Sequence, residues 1–318
     1  MINDKIVFTE LENKLKNYSK TITILSTDND ERFNKAKEIL EKKFTNLKYL
    51  KIDKDFIENF DKNKKEKLLN HYFDLRKEKE NEESLKNNFK NPNYFATLLL
   101  KSDFVDGIVS GSTHPTADIL RPSFQILKTK DKTAPVSSFM WLSKKGKKDL
   151  FFADISVNPD PNFEELGKIA IQTANSVKKL FNIEPVIAML SFSTLNSGGN
   201  HPLIEKIRKA TEFVKSNSSY QVIGEIQWDA AFNEEIFKLK AKNFNLKKMP
   251  NVFIFPDLNN GNIGYKIAAT LGNYLAIGPI LQNIAKPVND LSRGSNVDEI
   301  VNLVILTALQ KIETTEEK

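Results

Sequence analysis

The sequence predicts an α/β protein made of two α/β domains with mainly parallel sheets. Three observations predict this. Short β-branched or apolar runs alternate with helical stretches from end to end, the order that layers helices on a parallel sheet. Polar loops carrying Gly, Ser and Thr gather at the carboxyl ends of those runs, where such folds bind ligands. The chain has 318 residues, more than one hydrophobic core usually holds.

Composition narrows the function. The chain has no cysteine, which excludes disulfides, thiolate metal sites and a cysteine nucleophile. No apolar run approaches the ~18 residues of a membrane span. Met1 to Leu15 is charged throughout and has no apolar signal-peptide core, so the expected compartment is the cytoplasm. The net charge is +6, which suits small anionic substrates. Its basic residues are interleaved with acids, as in Lys62-Asn63-Lys64-Lys65-Glu66-Lys67, which reads as solvated helix faces. There is no nucleic-acid motif.

The first strand is Ile22 to Ser26, β-branched and closed by Thr27-Asp28-Asn29-Asp30. A helix follows with Phe33, Ala36, Ile39 and Leu40 on one face, then a strand from Leu47 to Ile52. Phe60 to Asn91 is charged and helical in pattern, Asn91-Pro92 stops it, and Tyr94 to Leu100 is another helix. Phe104 to Gly111 is a buried strand that runs into a small polar loop, Ser112-Thr113-His114, and Pro115 suits the first position of the next helix. Strand, small polar loop and helix start together present free N–H groups to an anion. Asp118 and Arg121 project from one side of that helix.

A domain boundary is expected near Lys130 to Pro135. Pro135 to Leu142 and Leu150 to Ile155 are strands joined by an exposed lysine-rich turn, Lys144 to Lys148. Asn162 to Phe181 is a helix and Val186 to Leu190 a buried strand. That strand opens into a second anion-ready loop, Ser191-Phe192-Ser193-Thr194, before Pro202 starts a helix. Tyr220 to Ile226 is a strand and Ala230 to Ala241 a helix. Val252 to Phe255 is a strand ending in the turn Pro256 to Asn262. Tyr265 to Leu271 is helical, Leu275 to Ile277 a short strand, and Val297 to Ile312 the last helix before a charged tail.

Lys286 to Gly294 packs a hydroxyl, a guanidinium and carboxyls between Pro287 and Gly294, and reads as a turn with displayed polar groups. On local chemistry it is equally a helix start, with Ser292 or Asn296 as N-cap and Asp298-Glu299 facing the helix dipole.

Several stretches resemble the phosphate acetyltransferases (phosphotransacetylases) of the phosphate acetyl/butyryltransferase family. They are Asp106 to Gly111, Thr116 to Pro122 with Gln125 to Thr129, Leu190 to Thr194, Val252 to Asn262 with Tyr265-Lys266, and Gly278-Pro279 through Gly294. The resemblance implies reversible acetyl transfer between coenzyme A and phosphate, with coenzyme A, acetyl phosphate and phosphate as partners. It implies no separate cofactor and no metal. It also implies a homodimer and an isocitrate/isopropylmalate dehydrogenase-like fold with an interdomain active-site cleft. The domains would be 1–133 with 288–318, and 134–287, with Lys286 to Gly294 as the hinge.

By resemblance the catalytic residues are Ser292, which bonds the reacting groups, and Arg293, which binds the phosphoryl or acyl oxygen. The family has Asp seven positions after that serine. Here Glu299 holds the place, with Asp298 beside it, so either could be the base. Arg76 and Arg121 would hold coenzyme A or phosphate. Further substrate contacts are expected from Ser110, Ser112, Thr113, Ser191, Ser193, Thr194, Asn259, Tyr265, Lys266, Asn289 and Asp290. His114 lies in the first anion-ready loop; His71 and His201 read as surface or capping residues, and Trp141 and Trp228 as packing. The alternatives are a phosphate butyryltransferase or other short-chain acyl specificity, a metal-dependent dehydrogenase-like enzyme using Asp257 and Asp290, and a non-catalytic homologue.

Overall fold

The computed structural model describes residues 6–242, 244 and 246–316. The chain divides into two compact units, Met1–Lys130 with Ile284–Lys318, and Asp131–Asn283.

The first unit opens on α1 (Ile6–Lys16), a helix the sequence reading did not foresee, which buries Phe8, Leu11 and Leu15. There follow β1 (Ile22–Ser26), α2 (Glu31–Lys43), β2 (Leu47–Lys51), α3 (Lys54–Asn59), α4 (Lys62–Arg76), α5 (Glu82–Phe89), α6 (Pro92–Lys101), β3 (Gly107–Ser110) and α7 (Thr116–Pro122), which runs on into one π-type turn, Ser123–Leu127. Local chemistry sets several starts. Asp30, Asp53, Asp61, Asn81 and Asn91 each cap the helix they precede by accepting a backbone N–H. The charged stretch from Phe60 to Asn91 is thus helical, but broken into α4 and α5 by a turn after Arg76.

The second unit holds β4 (Ser137–Ser143), β5 (Leu150–Ala153), α8 (Phe163–Phe181), β6 (Val186–Leu190), α9 (Pro202–Asn217), β7 (Gln221–Ile226), α10 (Trp228–Phe232), α11 (Glu234–Lys240), β8 (Val252–Ile254), α12 (Leu258–Gly272) and β9 (Leu275–Gln282). The strand order is β9-β4-β5-β8-β6-β7. β4 runs antiparallel to both its neighbours and the other pairs are parallel. Phe152, Phe253, Ala188 and Ile223 build its core on one side of the sheet. Three expectations are corrected here. The helix expected over Ala230 to Ala241 is two, because Asn233 ends α10 and caps α11. The turn expected after β8 is already helix, because Asp257 accepts the Asn260 N–H and starts α12 at Leu258. The strand expected to end at Ile277 continues to Gln282.

The chain then returns to the first unit with β10 (Val288–Asp290) and α13 (Val297–Glu316). The end of the expected charged tail, residues 317 and 318, lies outside the described residues. Reading Lys286 to Gly294 wholly as a turn is also corrected, since Val288-Asn289-Asp290 pairs in parallel with Ile108-Val109-Ser110. The sheet order here is β2-β1-β3-β10, all parallel. α13 packs on α1, α2, β1 and β3, burying Ile300, Leu303, Val304 and Thr307.

Candidate active site

In the first unit, β1, β3 and β10 end side by side at Ser26, Ser110 and Asp290. Their loops meet beyond that edge. Ser110 is fully buried, and its Oγ accepts the Thr27 N–H at 2.8 Å. Asp28, also buried, gathers the second loop. Its carboxyl oxygens accept the N–H groups of Gly111 (3.0 Å), Ser112 (3.2 Å) and Thr113 (2.9 Å) and the Thr113 hydroxyl (2.7 Å). Ser110, Ser112 and Thr113 therefore spend polar groups on shaping this loop. His114 lies on the Thr27 carbonyl at 3.2 Å.

Asp290 is buried, and its Oδ2 accepts the Thr116 hydroxyl at 2.7 Å while its Oδ1 has no hydrogen-bond partner among the described residues. Burial pushes this carboxyl up to about 7, with the nearby Asp28 adding to the rise and the Thr116 hydroxyl opposing it. Gly111 makes room for it: φ is +127°, and a Cβ would fall 2.2 Å from Asp290 Oδ1. Asn289, expected to meet substrate, faces α13 instead and donates to Thr307 Oγ1 and Gln310 Oε1, both at 2.7 Å. Successive strand residues point to opposite faces, so Asn289 and Asp290 cannot share a side.

After β10 the chain turns through Ser292, Arg293 and Gly294, all exposed. Ser292 Oγ accepts the Gly294 N–H at 3.3 Å. Arg32 clamps this turn from α2. Its guanidinium donates to the carbonyls of Arg293 (2.9 Å), Ser295 (2.8 Å) and Ser112 (3.0 Å) and grips Asp30 at 2.8 and 2.6 Å. Burial would raise the Asp30 carboxyl, but the Phe33 N–H and Arg32 together hold it below the usual range. The Arg293 backbone is thereby fixed, while its own guanidinium has no partner among the described residues.

Asn296, and not Ser292, starts α13. Asn296 Oδ1 accepts the Glu299 N–H at 3.0 Å and Glu299 Oε2 accepts the Asn296 N–H at 3.1 Å, a reciprocal cap. Burial raises the Glu299 carboxyl above its ordinary range, and Asp298 pushes the same way against the Asn296 and Ser295 donors.

Arg121 is exposed on α7, which packs beside β10, and has no partner among the described residues. Arg76 closes α4 and is largely buried, its fork on Glu80 Oε1 at 2.8 and 2.6 Å. Both arginines act on one ring. Burial raises the Tyr94 phenol, Glu80 adds to this, and Arg121 and Arg76 oppose it.

In the second unit the Ser191 loop is organised around a buried acid, Glu225. That carboxyl accepts from Ser193 Oγ (3.0 Å), the Asn196 N–H (2.7 Å) and Arg208 Nε (3.0 Å). Burial pushes Glu225 upward, but these donors outweigh it and hold the group below its usual range. Thr194 is buried and trades hydrogen bonds with Gln227, and Ser191 Oγ accepts the Ser193 N–H at 3.2 Å. Asn259 is exposed on α12, and exposed Lys266 sits over the Tyr265 ring at 5.8 Å. His201 caps α9, Trp141 is wholly buried, and Trp228 stacks on Phe232.

Among the described residues no group of three or more His, Asp or Glu could hold a metal ion. Asp28 and Arg32 were not found from sequence. Asp28 stood in the polar run closing the first strand, but nothing marked Arg32 among the chain's many cations.

A model of the phosphate acetyl/butaryl transferase family matches residues 10–308. The chain belongs to that family. The phosphate acetyltransferase of Thermoanaerobacterium thermosaccharolyticum is 44% identical over 263 residues, 80% of each chain. That of Bacillus subtilis is 42% identical over 78% of this chain and 76% of its own length. A phosphotransacetylase structure from Streptococcus pyogenes superposes with a TM-score of 0.86 at 37% identity, covering 96% of this chain and 98% of the other. For a member of the phosphate acetyl/butaryl transferase family, the edge bearing Ser292, Arg293, Glu299 and Arg121 is the natural candidate for the chemistry.

Proposed function

We propose that this chain is a phosphate acetyltransferase that moves an acetyl group reversibly between coenzyme A and phosphate. The observation that carries the reading is the Ser292-Arg293 turn: an exposed hydroxyl and an uncommitted guanidinium on a backbone locked by Arg32. Arginine suits the task because its fork pairs with two phosphoryl oxygens at once. Arg121 supplies a second open cation, and Arg76 belongs to the coenzyme A side of the reading.

The coenzyme A thiol gives its proton to the Glu299 carboxylate. The thiolate sulfur attacks the acetyl carbonyl carbon of acetyl phosphate, and its π electrons move to the oxygen. Arg293 and Ser292 stabilise that oxyanion; one such donor is typically worth about 10²–10³ in rate. Collapse breaks the carbon–oxygen bond to phosphate, which leaves with the bonding pair and takes up the proton held on Glu299. An ordinary thiol lies near 8.5 and a glutamate near 4.3, a gap of about 6 kcal/mol. Raising the Glu299 carboxyl narrows it. The scheme uses no cofactor beyond its substrates. A cytoplasmic homodimer goes with it, to be checked by sedimentation.

Glu299→Gln is expected to lose most of its thioester formation from acetyl phosphate and coenzyme A while still binding coenzyme A. Turnover near that of the parent would remove Glu299 as the base and point to Asp298. No turnover by the unaltered protein would overturn the reading. Butyryl phosphate in the same assay tests the other acyl preference.

A further inference from the structure

The first unit contains a concavity formed by α3, the start of α4 and the end of α5. Its volume is about 850 Å³, within the range of small-molecule sites. Ile57, Leu69 and Phe89 give it an apolar floor; Ile57 and Phe89 are buried and Leu69 partly so. Around the floor stand Lys54, Lys62, Lys65, Lys86 and Lys90, against only Glu58 and Glu66.

The state of these lysines matters more than their number. On the same helices other lysines are engaged: Lys65 donates to the Ile57 carbonyl at 2.7 Å, Lys86 pairs with Glu82 at 2.5 Å, and Lys77 with Asp74 at 3.1 Å. Lys54, Lys62 and Lys90 have no partner among the described residues, though each lies along the cavity. Two carboxylates in the same lining leave them unpaired. Lysine stems add methylene surface to the walls while the ammonium heads stay at the rim. A solvated charged face needs no apolar floor, and an apolar groove awaiting another hydrophobic surface gains nothing from unpaired cations.

From this juxtaposition we propose that the α3–α4–α5 cavity binds an amphipathic anion, an aliphatic carboxylate whose chain lies on Ile57, Leu69 and Phe89 and whose head meets Lys54, Lys62 and Lys90. It is separate from the acetyl-transfer residues, and its test does not depend on that reading.

The test is isothermal titration of the full chain with sodium dodecanoate below its micelle concentration, with dodecanol and inorganic phosphate as matched probes. Dodecanoate is expected to bind saturably at one site per chain, and each matched probe at least tenfold more weakly. Lys62→Glu combined with Lys90→Glu alters exposed, unpaired residues and is expected to weaken dodecanoate at least tenfold with an unchanged unfolding midpoint. Leu69→Gln is expected to weaken it through the floor. Absence of saturable binding, binding indifferent to both variants, or phosphate binding as tightly as dodecanoate would each overturn the proposal.

Discussion

Arg32 gives the most demanding test of how the site is held. Its guanidinium reaches three backbone carbonyls, of Arg293, Ser295 and Ser112, and so ties the turn after β10 to the loop after β3. Hydrogen bonds to a charged group contribute about 1.5–3 kcal/mol each. The side chain is 31% exposed, so water replaces part of what is lost, and about 1 kcal/mol per carbonyl is a fair value. Arg32→Ala then costs roughly 3 kcal/mol in the ordering of the turn, which is about a hundredfold in kcat/KM at 1.4 kcal/mol per decade. Lysine keeps the charge but is one compact donor group, so Arg32→Lys is expected to recover less than half of that free energy. Initial rates of thioester formation measure both, and added guanidinium ion is expected to restore part of the alanine variant's kcat. If Arg32→Ala stays within threefold of the parent in kcat/KM, the clamp does not position the turn.

Asp290 gives stability a definite pH dependence. Its folded value, about 7, lies above the ordinary aspartate value of 3.8, so the folded state holds the proton across that interval and the unfolded chain does not. Stability from this group is present below about 4, falls as pH rises, and is fully lost above about 7, a swing on the order of 4 kcal/mol. Urea titrations at pH 5 and pH 8 should show a smaller fall for Asp290→Asn than for the parent; equal falls would contradict it. Gly111→Ala places a Cβ against Asp290 Oδ1 at a φ of +127° and is expected to cost more than about 3 kcal/mol, partly recovered in the double variant with Asp290→Ala. A loss below about 1 kcal/mol by chemical denaturation would count against the close approach. Arg208→Ala takes the cation from the buried Glu225 carboxylate and leaves it only the Ser193 and Asn196 donors, so it should lower stability, with Glu225→Gln in the same chain recovering part of the loss. Thermal unfolding of the four proteins of that cycle decides it.

Much of the fold could be read because buried parallel strands are apolar runs, and β1, β3, β6 and β8 all begin near where their sequences say. The failures have physical causes. α1 carries Phe8, Leu11 and Leu15 at helical spacing, but charges between them hid it. β10 is obscured because it lies between Pro287 and Gly294, the punctuation of a turn. A strand this short can bury an amide and a carboxyl when α13 and Thr116 supply their partners. Strand order is set by tertiary pairing, so no local pattern revealed that β10 would lie beside β3. For the same reason the loop serines were found, but not their occupation by Asp28 and Glu225, which lie far away in sequence.

The closing strand and helix of the first unit come from the far end of the chain, after the whole of Asp131–Asn283 has been made. During synthesis the middle unit emerges complete while its predecessor still lacks β10, the Ser292-Arg293 turn and the α13 backing. A message broken or a ribosome stalled before Ile284 therefore releases a polypeptide with a finished second unit but no reactive turn. In such a product the α1, α2, β1 and β3 surfaces that α13 would cover stand open to proteases.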